Sequence, residues 1–168
     1  MDKADGTETG ADRKGRGRDG DRLDLENFFP YRLAILQLAV SKSISHLYSG
    51  RFGLSTYEWR AMAALGSHEP MSASQVCDNT NLDKVQVSRA INGLIAAGLV
   101  RRLTDRDDRR RSSLRLTAKG TKVYRQIVPL AQAREAYLLS VFSDEERGQL
   151  ERLMDKLYAR ASELQRQG

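Results

Sequence analysis

The sequence predicts a mainly α-helical fold with one small β-hairpin, and three features predict it. Apolar residues recur at spacings of three and four along most of the chain, which lines them up on helix faces. Serine followed three residues later by Glu or Gln, the pattern of a capping box, opens three of these periodic segments. Only residues 99–117 break the helical pattern, with two short strand-like runs, "LVRRLT" and "SSLRLT", around a charged connection.

Taken in order, Met1 to Arg22 hold six basic and six acidic side chains and almost no apolar ones. Such a segment cannot bury enough surface to offset the entropy of ordering, so a disordered tail is expected over 1–22. A long first helix is predicted from Asn27 to Tyr48, where Leu33, Leu36, Val40, Ile44 and Leu47 share a face, with "SGRFGL" breaking it. Ser55 and Glu58 open a second helix through Trp59, Met62 and Leu65 that stops near Gly66. Ser72 and Gln75 open a short third helix ending at 79–81, and Asp83 caps a fourth. That fourth helix turns Val87, Ile91, Leu94 and Ile95 to one side and stops at Gly98, where a left-handed backbone favours glycine. After the hairpin, a helix is predicted from Ala118, with Pro129 either kinking it or marking a first turn. Ser143 and Glu146 open the last helix, in which Leu150, Met154, Leu157, Ala161 and Leu164 repeat as in a helix packed lengthwise on another.

Composition narrows the function. The 168 residues, 40% apolar and 30% charged, suit one soluble domain. Apolar runs fall short of the roughly 18–20 residues of a membrane span, and the first residues lack the apolar core of a signal peptide, so the cytoplasm is the expected location. One cysteine, Cys77, excludes an intramolecular disulfide framework and a cysteine-based zinc cluster, and it is expected in the core. His46 and His68 lack metal-ligand spacing, so neither a metal nor a cofactor is expected. No phosphate-binding glycine loop or nucleophile elbow is present, and no enzyme is expected. The net charge of +6 is concentrated: Lys84 to Arg125 hold twelve basic residues against three acidic ones. An acidic partner for that stretch follows from the charge.

Two helices joined by a tight turn and followed by a hairpin form a winged helix-turn-helix, which reads double-stranded DNA by placing its second helix in the major groove. With Val87, Ile91 and Leu94 facing inward, Lys84, Val85, Gln86, Ser88 and Arg89 are left at the outer face of the first turns. Gln and Arg can make paired hydrogen bonds to a base edge, Val85 suits a thymine methyl, and Lys84 suits a phosphate.

From about Asn27 onward the chain resembles the MarR family of bacterial transcriptional regulators. The resemblance rests on "LSTYEWRAMAAL", "SASQVCDNTNLDKVQVSRAINGLIAAGLVRR", "DRDDRRRSSLRLTAKG" and "VPLAQAREAYLLSVFSDEERGQLERLMDKL". The third is the most specific, with Asp108, Arg110, Leu116, Thr117, Lys119 and Gly120 at the positions of the family's wing pattern. It implies a MarR-type domain over 23–168, with dimerisation helices at about 25–49 and 118–166 around a winged helix-turn-helix at about 55–117. It also implies a homodimer on a pseudo-palindromic operator, usually a repressor released by a small-molecule effector such as an aromatic acid or aromatic CoA thioester. In the wing, Arg110 is expected to enter the negative minor groove while Asp108 orients the hairpin. Arg106, Arg109 and Arg111 are expected at phosphates. Tyr57, Trp59, Arg60, Arg32 and His46 are the candidates for effector binding. A protein that coats DNA through charge alone, without sequence preference, is the alternative reading.

Overall fold

The first helix, α1 (Phe29–Phe52), runs four residues beyond the expected Tyr48. Gly50, expected to help break it, lies inside the helix, where a glycine costs only about 1 kcal/mol relative to alanine. The stop is Gly53, whose positive φ of 64° ends the helix while its N–H donates to the Ser49 carbonyl at 3.1 Å. The computed structural model describes residues 22–104 and 112–167, in two compact units that divide between Ala39 and Val40. In the first unit, Asp24 accepts hydrogen bonds from the Asn27 side chain (2.8 Å) and backbone (3.4 Å), and these hold its carboxyl below the usual range. The first part of α1 in that unit leaves Leu33 and Leu36 exposed.

In the second unit, α2 (Thr56–His68), α3 (Ala73–Thr80) and α4 (Lys84–Ala96) pack around one core. Both halves of the capping box are present at Ser55 and Glu58 and at Ser72 and Gln75. The second helix does not stop near Gly66; it continues to His68, because Gly66 answers a packing demand. A Cβ there would run into the ring of Tyr124. Val76 from α3, Val87, Ile91 and Leu94 from α4, and Ala61, Met62 and Leu65 from α2 form the buried centre, joined by Tyr48, Leu54 and Ile127. Cys77 is half-buried against this core.

Strands β1 (Val100–Thr104) and β2 (Ser112–Leu116) pair antiparallel with Val100 opposite Leu116 and Thr104 opposite Ser112. Met71 exchanges two backbone hydrogen bonds with Leu114 and adds a one-residue third strand. The Glu69 carboxylate accepts the Leu116 N–H at 2.9 Å, tying the end of α2 to the hairpin.

Helix α5 (Ala118–Leu139) starts against the end of α4, and the run Thr117-Ala118-Lys119-Gly120 explains the junction. The Thr117 hydroxyl accepts the Gly120 N–H at 3.0 Å as the N-cap and donates to the Gly98 carbonyl at 2.7 Å. Lys119 Nζ donates to the Ala97 carbonyl at 2.8 Å, placing a cation at the negative end of α4. That end is a Schellman turn: Gly98 takes φ +70°, its N–H donates to Ile95, and the Leu99 N–H donates to Leu94. Pro129 lies inside α5, so it withholds one interior N–H rather than opening a first turn.

Helix α6 (Asp144–Gln167) is opened by Ser143 and Glu146, which form the expected box. The Ser143 backbone N–H and then its side chain hold the Glu146 carboxyl below the usual carboxylate range. None of its 24 residues is buried, and Met154, Leu157 and Leu164 stand exposed.

Candidate nucleic-acid interface

Three residues make the turn between α3 and α4. Asn81 ends α3 in the left-handed region (φ 56°), donating its N–H to the Cys77 carbonyl at 2.9 Å. Leu82 is buried beneath the turn, and Asp83 caps α4 by accepting the Gln86 N–H at 2.7 Å. A left-handed residue, a buried anchor and a cap fix the angle at which α4 leaves α3.

On α4, Val87, Ala90, Ile91 and Leu94 are buried and set the orientation of the rest. Lys84, Val85, Ser88 and Arg89 are exposed on the opposite side near the N-terminus, with Val85 58% accessible. Asn92, one turn further on, extends the same exposed stripe and escaped the sequence reading. Gln86 is half-buried, and its carboxamide oxygen accepts the Asp83 N–H at 3.2 Å. In this arrangement its amide N–H2 can donate outward, but a two-point contact with adenine needs the oxygen too and so requires release from the cap.

The hairpin carries a second cationic feature. Arg101 and Arg115 are direct cross-strand partners, and both are exposed. Like charges opposite one another destabilise a hairpin, and a polyanion alongside relieves that cost. The alternation of the strands was readable in the sequence, but the register that brings these two arginines together was not. Arg106, Asp108, Arg109, Arg110 and Arg111 lie outside the described residues.

Residues 52–111 match the model of the MarR family. The chain is 25% identical over 129 residues to the HTH-type transcriptional repressor YetL of Bacillus subtilis, an alignment covering 73% of this chain and 77% of that protein. Its fold is similar to that of a MarR/EmrR family transcriptional regulator from Acinetobacter sp. ADP1, with a TM-score of 0.77 and 26% identity over 84% of this chain and 99% of that one. It is also similar to MepR of S. aureus in a DNA complex, with a TM-score of 0.73 and 19% identity over 78% of this chain and 96% of that one, a likeness of fold alone. Residues 52–111 thus carry the MarR family's sequence pattern. The fold is the mainly helical one of MarR-family transcriptional regulators, with a small antiparallel hairpin after α4.

Two clefts share the wall made by Trp59 and Ala63. Trp59 stacks between Tyr48 (centroids 5.7 Å apart) and Tyr124 (6.2 Å), and the Tyr48 hydroxyl donates to Thr56 at 3.2 Å. One cleft, about 410 Å³, is polar, with Arg60, Ser67, His68, Asn79 and Thr80 around it. The other, about 420 Å³, is walled by Val40, Ile44, Val128, Ala131, Leu138 and Leu139 with the Tyr124 ring, and Gln132 and Glu135 supply its polar groups. Of the expected effector residues, the structure brings Trp59 and Arg60 together. Tyr57 and His46 are exposed and line neither cleft, and Arg32 belongs to the first unit, where it is exposed. Tyr124 and Glu135 were not anticipated, since nothing local in the sequence ties α5 to Trp59.

Proposed function

We propose that this regulator is a homodimeric, sequence-specific repressor that occupies a pseudo-palindromic operator and releases it when a small molecule binds. The exposed stripe at the start of α4, held out by the buried face opposite, is the observation that carries the reading. Arg89 and Ser88 meet base edges, Val85 a thymine methyl, and Lys84 a phosphate, with Gln86 donating from its capping position. In the wing, Arg110 enters the minor groove, Asp108 orients the hairpin, and Arg106, Arg109 and Arg111 meet phosphates, with Arg101 and Arg115 extending the cationic strip. The repressor among its relatives supports the sign of regulation. The exposed apolar row on α6 and the exposed Leu33 and Leu36 on α1 support a dimer made through the helices at about 25–49 and 118–166, leaving 55–117 to read DNA.

Fluorescence anisotropy with the gene's own upstream DNA and a scrambled duplex tests this. Arg89→Ala is expected to weaken specific binding by about 1–3 kcal/mol and to relax the preference among bases. Arg110→Ala is expected to lose a similar amount, and footprints should show half-sites separated by about one helical turn, roughly 10 base pairs, or a small multiple of it. Equal affinity for both duplexes at physiological salt, with a steep salt dependence, would instead identify a protein that coats DNA through charge.

A further inference from the structure

The apolar cleft carries one charge, and that charge is negative. Among the described residues of one chain, Glu135, exposed at its edge, is the sole carboxylate that lines it, and no Lys, Arg or His does. Among the described residues the ion pairs are Arg147 with Asp144 and Arg160 with Glu163, so Glu135 is not neutralised within them. Beside it, Trp59 and Tyr124, whose faces are stacked on each other, add aromatic carbon to a wall otherwise made of aliphatic side chains, a surface for a ligand's apolar body. An anion entering here would lie next to a carboxylate with no compensating cation in the lining, whereas an ammonium would gain an ion pair with Glu135 while its apolar body covers the wall. Arg60 and His68 line the polar cleft instead.

We infer that the apolar cleft takes a lipophilic cation, an ammonium attached to an aromatic or branched-alkyl body, rather than an aromatic acid. As the identity of an effector, this rests on the ligand-responsive reading above. It departs from the aromatic acid or aromatic CoA thioester that the family resemblance suggested, because among the described residues no basic side chain lines this cleft to meet a carboxylate.

The chain's single tryptophan is Trp59, so its fluorescence reports occupancy directly. Three probes with one body and different charge decide the matter: 4-tert-butylbenzylammonium, 4-tert-butylbenzyl alcohol and 4-tert-butylbenzoate, titrated into the full-length protein without DNA. The ammonium is expected to bind at least about tenfold more tightly than the benzoate, with the alcohol between them. In Glu135→Gln the ammonium should fall to within about twofold of the alcohol, and in Glu135→Lys the order of ammonium and benzoate should reverse. The inference is overturned if the benzoate binds as tightly as the ammonium, if no probe binds, or if the ammonium keeps its advantage in Glu135→Gln. Operator release is measured separately by anisotropy. Ammonium binding that leaves the operator bound sustains the ligand class and removes only the ligand-responsive reading of the regulator.

Discussion

Leu157→Asp is expected to convert the proposed dimer to a monomer and, with that, to weaken operator binding by at least about 100-fold. Leu157 sits mid-way along α6 in the row Leu150, Met154, Leu157, Ala161 and Leu164, and it is 49% exposed in the single chain. A 24-residue helix with no buried residue makes no core of its own, so its apolar row needs a second surface to cover it. A carboxylate in that seam must be desolvated without a partner, which costs several kcal/mol across the two copies. The chain's own core lies elsewhere, among α2, α3, α4 and the hairpin, so the helical circular dichroism of the variant should survive. Arg152→Asp, on the opposite side of α6, should leave the dimer intact, which separates a specific seam from a general effect of charge on the helix. Sedimentation velocity reads the assembly and anisotropy reads the DNA. A Leu157→Asp protein that remains dimeric would place the dimer seam on another face. Loss of half the proposed bivalent grip is what would make the DNA effect large, since each reading head alone would hold only one half-site.

The order of elements was legible in the sequence because local chemistry dictates it. Ser55, Ser72, Asp83 and Ser143 each cap the helix that follows them, and every such bond spans three residues, a distance a sequence displays directly. The buried face of α4 was legible for the same reason, since Val87, Ile91 and Leu94 fall on one side by periodicity alone. Glycines were read less well. Gly98 and Gly66 look alike in the sequence, yet one ends a helix by its left-handed backbone and the other lies within a helix beneath Tyr124, a residue 58 positions away. The clefts fall in the same class. Trp59 and Arg60 were singled out by residue type, but the charge of the apolar cleft depends on Glu135, which reaches it only through the packing of α5. Contacts between distant segments are what periodicity cannot supply.

Gly120 offers the sharpest test of how the reading head is joined to α5. A Cβ added there would collide with the backbone carbonyl of Leu99, and that oxygen is already committed, accepting the Thr117 N–H at 2.9 Å and facing the Thr117 hydroxyl at 3.3 Å. The same few residues hold the N-cap of α5, the Schellman turn of α4 and the Lys119 bond to Ala97, so the carbonyl cannot withdraw without loosening several of them. Gly120→Ala is therefore expected to destabilise the protein by about 1–3 kcal/mol, as overpacking of a closed site does, and to lower the melting temperature by several degrees. Gly50→Ala supplies the contrast. Nothing lies within 4 Å of its added Cβ, its φ is not positive, and it sits inside α1, so alanine is expected to raise stability by about 0.4–1 kcal/mol. Differential scanning calorimetry of the two variants separates the effect of the contact from the general preference of helices for alanine. A Gly120→Ala protein as stable as the wild type would mean that α5 can move away from Leu99 without cost. In that case the Thr117 and Lys119 bonds, rather than the close approach, set the junction between the recognition helix and the helix that follows the wing.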